Sequence, residues 1–233
     1  MRRRVPFAAV AVIVSLFTPS LVRAQQAVGL QIGGFSPRGI DAREDSDVLI
    51  GNLFNGDESL AFEVEDFRGG HVGLEWLGAL GPNLEASLGI GYYRRTVPSV
   101  YAFLVEDDGT EIEQDLRLRV VPFSATVRLL PFGRDTAIQP YVGAGIAVLS
   151  WRYSEVGEFV DFDGLVFQGR FVETGTDTGP LVLVGARFPA GNWTVGGEVR
   201  YQRAEGELPA DEFLGSSIDL GGFNYLLTFT ARF

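Results

Sequence analysis

The sequence predicts an all-β fold, eight antiparallel strands closed up-and-down into a transmembrane β-barrel, and three observations lead there. The first is the final stretch, Leu220 to Phe233 (LGGFNYLLTFTARF), which places Phe223, Tyr225, Leu227, Phe229, Ala231 and Phe233 on one parity. Asn224, Thr228, Thr230 and Arg232 take the other, with Leu226 the exception. Strand side chains alternate with period two, so this is one apolar face and one polar face. About ten such residues cross a bilayer at the usual tilt. The second observation is that seven further stretches alternate in the same way, which makes an even total of eight. The third is the rhythm of the connections, strictly long, short, long, short, long, short, long.

The chain opens with Met1-Arg2-Arg3-Arg4, an apolar run from Val5 to Phe17, and Val22-Arg23-Ala24. A charged start, a short apolar core and a small residue at the end read as a secretory signal peptide, residues 1–24, too short for a spanning helix. Residues 25–233 are then the barrel domain. They contain no run of about twenty apolar residues, so a chain embedded in lipid must satisfy its backbone as a closed barrel. Cysteine is absent, which removes disulfides and thiol chemistry, and every basic residue is Arg. Without the four arginines of the leader, 15 basic residues stand against 30 acids, a net charge of −15. That balance argues against a nucleic-acid partner.

Strand one carries Val28, Leu30 and Ile32 against Gly29, Gln31 and Gly33, and a long acidic segment, Ser36 to Arg68, follows. Strand two sets Val72, Leu74 and Trp76 against His71, Gly73 and Glu75, and Leu60, Phe62 and Val64 extend its parity backwards. Gly81-Pro82-Asn83 is a tight turn. Strand three places Leu84, Ala86, Leu88, Ile90 and Tyr92 outward and stays extended to the hairpin signal Asp108-Gly109. Strand four returns with Ile112, Leu116, Leu118 and Val120 in phase; its apolar set then moves to Val121, Phe123, Ala125, Val127 and Leu129. A one-residue slip exchanges the faces of a strand, so a bulge is expected beside Pro122. Strand five (PYVGAGIAVLSW, Pro140 to Trp151) turns Val142, Ala144, Ile146 and Val148 outward, and Tyr153 to Asp177 is the third long segment. Strand six shows Val182, Val184, Ala186 and Phe188 outward; strand seven, after Gly191-Asn192, shows Trp193, Val195, Val199 and Tyr201. The last long segment runs from Ala204 to Ser217.

The terminal Phe, the PYVGAG of strand five and the VVPFSATVRL of strand four resemble the OmpA/OmpX-like group of small bacterial outer-membrane barrels. That resemblance implies a Gram-negative outer-membrane location, contact with outer-membrane lipids and lipopolysaccharide, and a C-terminal signal read by the assembly machinery. Tyr225, Leu227, Phe229 and Phe233 carry that signal. Alternation alone also fits a soluble lipocalin-like barrel with its apolar parity inward. Aromatic residues at strand ends (Trp76, Tyr92, Phe188, Trp193, Tyr201, Phe233), the loop rhythm and the terminal Phe favour the membrane barrel.

With the apolar set outward, the lumen receives a polar network of Gln31, His71, Glu75, Glu85, Arg128, Arg187, Glu198, Arg200 and Arg232. An eight-stranded barrel is wide enough only for side chains to fill it, and buried charges must pair, so a plug of salt bridges is expected. His71 is the single histidine, expected near the outer rim without a fixed serine beside it, so no catalytic residue, cofactor or metal site is assigned. Glu44-Asp45-Ser46-Asp47 and Asp161-Phe162-Asp163-Gly164 suggest divalent-cation binding but lack calcium-loop spacing. Phe103, Leu104, Val105, Phe159, Phe162, Phe167 and Phe171 fit either hairpins that extend beyond the membrane or a cluster over the mouth. The expected function is structural or surface-interacting, with an extracellular protein partner for the acidic loops. The alternatives are a narrow porin-like channel or transporter of small hydrophobic molecules and, third, a lipid A-modifying enzyme.

Overall fold

The computed structural model describes residues 26–106, 108–161 and 163–233. The expected signal peptide, Asp107 and Phe162 lie outside these. In chain order the elements are β1 (Gln26–Pro37), α1 (Val48–Leu53), β2 (Leu60–Ala61), β3 (Gly69–Ala79), β4 (Leu84–Val105) and β5 (Glu111–Leu129). They continue as β6 (Gln139–Val160), β7 (Val166–Ala190), β8 (Trp193–Gln202), β9 (Glu205–Glu207), β10 (Ser217–Asp219) and β11 (Gly222–Arg232). Strands β1, β3, β4, β5, β6, β7, β8 and β11 pair antiparallel with their neighbours and close into a ring; β2 adds to the side of β4, and β9 with β10 forms a separate ribbon. Closure joins the first strand to the last, Leu30 opposite Phe229 and Ile32 opposite Leu227. The hairpins turn where the chain carries the residues for it: Gly109 and Gly191 adopt φ of 86° and 63°, accessible to glycine without strain.

Around the half of the ring nearer the short turns, the alternating apolar residues face outward. Val28, Leu74, Leu88, Val127, Val142, Val184, Val195 and Leu227 are all exposed, and Leu227 is 58 % so. Trp76, Tyr92, Phe188, Trp193 and Phe233 stand exposed at the edges of this band.

Toward the long segments the arrangement inverts. β4, β5, β6 and β7 have 22, 19, 22 and 25 residues, whereas β1, β3, β8 and β11 have 12, 11, 10 and 11. The four long strands rise past the rest as a projecting wall. Its inner surface buries Val97, Leu116, Leu118, Leu149, Trp151 and Tyr153. The first and last long segments fold over that surface, contributing Val48 and Leu49 of α1, Phe67, Leu208, Phe213 and Ile218. Above the band the apolar parity therefore points inward, as in a water-soluble barrel.

This inversion corrects the expected bulge at Pro122. Ile90 pairs with Phe123 and Tyr93 with Val120 in one register, and β6 keeps step across the same point, Val121 with Ser150 and Phe123 with Val148. No slip occurs; one regular strand passes from an apolar outside to an apolar inside. The irregularity on β4 lies higher, between Val100, opposite Glu113, and Val105, opposite Glu111. The third long segment is likewise no loop: β6 and β7 stay paired up to Val160 and Val166. β3 starts at Gly69, and Val64–Phe67 forms a 3-10 turn instead of prolonging that strand.

Candidate functional site

The inward parity of the lower ring brings acids and arginines from distant strands to one depth. Arg128 of β5 donates to Glu75 of β3 at 2.6 Å and to Glu198 of β8 at 2.8 Å. Arg200 approaches Glu198 at 2.6 Å and Glu75 at 3.7 Å. Gln31 donates to the second oxygen of Glu75 at 3.2 Å, and the Tyr141 hydroxyl donates to Glu198 at 3.0 Å. The Arg128 guanidinium also stands over the Tyr141 ring, 4.9 Å from its centroid. Two carboxylates meet two guanidinium groups, so the cluster is charge-balanced and enclosed: Glu75, Arg128, Glu198 and Arg200 are each 5 % exposed or less.

A second cluster lies at the short-turn end. Glu85 accepts from Arg187 at 2.6 Å and from Arg134 at 3.1 Å. Gln139 accepts from Arg187 and from Arg232, both at 2.9 Å. The small cavity beside Glu85, Arg134, Arg187 and Arg232 measures about 10 Å³, no more than one water needs.

His71 does not sit at a rim. It is 4 % exposed, beneath the contact between Phe35 and Tyr93, whose ring centroids are 4.8 Å apart. Its ring lies on the backbone of Gly91, where a Cβ would come within 2.7 Å of Cε1. The space around it, about 10 Å³, is lined by Phe35, Tyr93, Val120, Pro122, Gln202 and Asn224, with no serine, threonine or acid among them. The Tyr93 hydroxyl, the one hydroxyl in that lining, donates to the Phe67 carbonyl, and the space holds no more than a water.

At the outer mouth, a pocket of about 370 Å³ opens between Leu60, Tyr101, Phe159, Phe171 and Phe213, with Glu155 and Asn52 in its wall. The Phe159 and Phe171 rings meet edge to face at 4.8 Å, while Phe103 is 71 % exposed. The hairpins thus extend, and only some of their aromatics cluster. Glu155 accepts from Asn52 at 2.7 Å and from Tyr153 at 2.8 Å; burial nevertheless holds its carboxyl above the ordinary glutamate value. In the first long segment Asp47 caps α1 through the Leu49 amide at 2.9 Å, accepts the Asp219 amide at 2.7 Å and pairs with Arg43 at 2.7 Å. Burial raises its pKa too.

Neither acidic stretch gathers as a cation loop. Asp47 is engaged as above, and Asp161 accepts the Asp163 and Leu165 amides of its own turn at 2.9 and 2.8 Å. Among the described residues no group of three His, Cys, Asp or Glu could hold a metal ion.

Gln139, Arg134, Tyr141 and the Asn52–Tyr153–Glu155 set were not singled out from the sequence. Parity alone marks Tyr141 and Gln139 as inward on β6; Arg134 belongs to a turn and carries no such mark. Tyr225, Leu227, Phe229 and Phe233 of the closing strand all face outward.

No protein-family model and no curated protein sequence matches the chain. Solved structures do. The outer membrane protein OprG from Pseudomonas aeruginosa superposes with a TM-score of 0.53 at 11 % identity, over 90 % of this chain and 96 % of that one. Neisserial surface protein A gives 0.49 at 11 % identity, over 90 % and 97 %. The first and last of the described residues lie together at the short-turn rim, with the Gln26 amide 3.3 Å from the Phe233 carbonyl. With its eight-stranded meander closed first strand to last, the chain has the fold of the small outer-membrane β-barrels.

Proposed function

We propose that the chain is an outer-membrane protein whose barrel is a closed anchor and whose projecting wall serves structural or surface-interaction roles, without catalysis. The observation that carries this reading is the double filling of the lumen: a balanced ion-pair cluster around Arg128 and, above it, an apolar plug that includes Phe35 and Tyr93. An outward apolar band on a closed ring suits hydrocarbon, because every backbone group is satisfied within the ring. The outward C-terminal aromatics suit recognition by outer-membrane assembly machinery. An acidic cleft of about 720 Å³ on the wall, lined in part by Glu106, Glu111, Glu113, Asp115 and Glu158, favours a cationic extracellular protein partner. Planar-bilayer recording tests the closed lumen. The expected trace is silent, and steady large single-channel steps would overturn the reading. A second reading, passage or capture of a small hydrophobic molecule, is favoured by the aromatic pocket at the mouth; saturable binding of an apolar fluorophore, abolished by Phe171→Asp, would support it.

A further inference from the structure

The pocket of about 370 Å³ at the outer mouth brings aromatic rings and carboxylates to one space. Tyr101 of β4, Phe159 of β6, Phe167 and Phe171 of β7, and Phe213 of the last long segment line it. The register of the β6–β7 hairpin sets most of them on one face, since Phe159 lies opposite Phe167 and Glu155 opposite Phe171. The phenylalanine rings follow one another without a break: Phe167 to Phe159 at 5.8 Å between centroids, Phe159 to Phe171 at 4.8 Å, and Phe171 to Phe213 at 6.3 Å. Phe167 is 42 % exposed and Phe213 5 %, so the series runs from the open rim into the protein. It ends on Tyr153 of the buried core, 5.8 Å from Phe213, which gives the pocket a floor.

The same space is lined by four acids, Glu58, Glu155, Asp211 and Glu212, and by no arginine. None of the four has a basic group within 4.0 Å among the described residues. Arg170, the arginine next to Phe171, pairs with Val156 and is one residue out of phase with Glu155 and Phe171, so it stands exposed on the other face of the wall. An aromatic ring carries negative potential on its face, so rings and carboxylates favour the same guest, a cation. A neutral apolar guest would use the rings and gain nothing from the acids.

The hydrogen-bond acceptors of the inner wall narrow the class of cation. One oxygen of Glu155 already accepts from Asn52 at 2.7 Å and from Tyr153 at 2.8 Å. The Tyr101 hydroxyl accepts from Gln114 at 3.0 Å and from the Val160 amide at 3.4 Å. A primary ammonium would bring three N–H donors to a wall whose acceptors are engaged. A fully alkylated ammonium brings none and presents methyl groups to the rings.

We infer that this pocket binds the alkylated ammonium group of an organic cation, seated against Phe159, Phe167 and Phe171 with the carboxylates around it. The site is the pocket of the second functional reading with its ligand changed from neutral to cationic, and it holds whether or not the lumen conducts.

The test uses the purified chain folded in dodecyl maltoside micelles, which carry no ammonium group, with binding measured by ligand-observed NMR. Three probes are compared: choline, its uncharged carbon isostere 3,3-dimethylbutan-1-ol, and ethanolamine, which keeps the charge without the methyl groups. Choline should bind at least about tenfold tighter than either, about 1.4 kcal/mol. Phe171→Leu, which keeps apolar volume and removes a ring, should weaken choline about threefold or more and leave the alcohol unchanged. E58Q/D211N/E212Q, confined to exposed residues, should weaken choline as well. E106Q/E111Q/E113Q, which removes equal charge from the separate acidic cleft, should not. Heat-modifiable migration in gels confirms that each variant has folded. Equal binding of choline and the alcohol would overturn the inference and return the pocket to a neutral guest. Equal binding of ethanolamine would show that charge alone is read and overturn it too. A loss as large in the cleft variant as in the pocket variant would assign choline to the general attraction of an acidic chain, with the same consequence. Absence of binding by all three probes would sink the cationic and the neutral reading of the pocket together.

Discussion

Replacing Arg128 with Met should be among the most damaging single changes in the barrel. Its guanidinium reaches Glu75 at 2.6 Å and Glu198 at 2.8 Å while only 2 % exposed. Without it, two enclosed carboxylates share Arg200, which is close to Glu198 but 3.7 Å from Glu75. One negative charge is then left without its main partner in a space that water scarcely enters. Breaking a buried pair by removing one member costs about 3–5 kcal/mol, and Met restores most of the lost packing volume, so the loss is electrostatic. Guanidinium unfolding in lipid vesicles, followed by tryptophan fluorescence, should show that destabilisation. Adding Glu198→Gln to Arg128→Met removes the surplus charge, and the double variant should recover about 1–2 kcal/mol relative to the sum of the single changes, within the coupling seen for contacting residues. A loss below about 1 kcal/mol for Arg128→Met, or strictly additive effects, would show that the cluster is hydrated and does not seal the lumen.

Two further expectations concern titration and catalysis. Burial raises the Glu155 carboxyl above its ordinary value of 4.5; its contribution to stability is full below that value and falls as pH rises through the raised one. Amide exchange in the first long segment, corrected for intrinsic rates, should therefore show better protection at pH 5 than at pH 7.5. Glu155→Gln, which keeps the acceptor for Asn52 and Tyr153, should weaken that dependence and leave the part due to Asp47, whose carboxyl burial also raises; an unchanged pH profile would remove Glu155 as a source. A strain carrying His71→Ala should make lipid A with the same acylation pattern as its parent, because the ring is walled in by Gly91 and Pro122; an altered pattern by mass spectrometry would restore the enzyme reading.

How much of the barrel was legible varies with height. In the lower ring, period two and turn residues suffice. Gln31, Glu75, Glu85, Arg128, Arg187, Glu198 and Arg200 are buried there, and Arg232 is partly so. Their partners were not legible, since Glu85 and Arg187 are 102 residues apart and meet only through the stagger of the closed ring. In the upper wall the same alternation carries the opposite meaning, and β5 reads as slipped beside Pro122 although its pairing keeps one register across that point.

Taken alone, the order of residues determined that the eight strands of the ring form, where the short turns between them fall and, in the lower ring, which residues share a face, because these follow from local backbone geometry and side-chain alternation. Which face looks inward was decided by the tertiary structure, at each height separately. A strand's alternation records only that its two sides differ. The medium outside the ring, together with the long segments folded over the wall, determines which side is covered. That is why Ile112 and Val120 are buried while Phe123 and Val127, on the same regular strand, face outward.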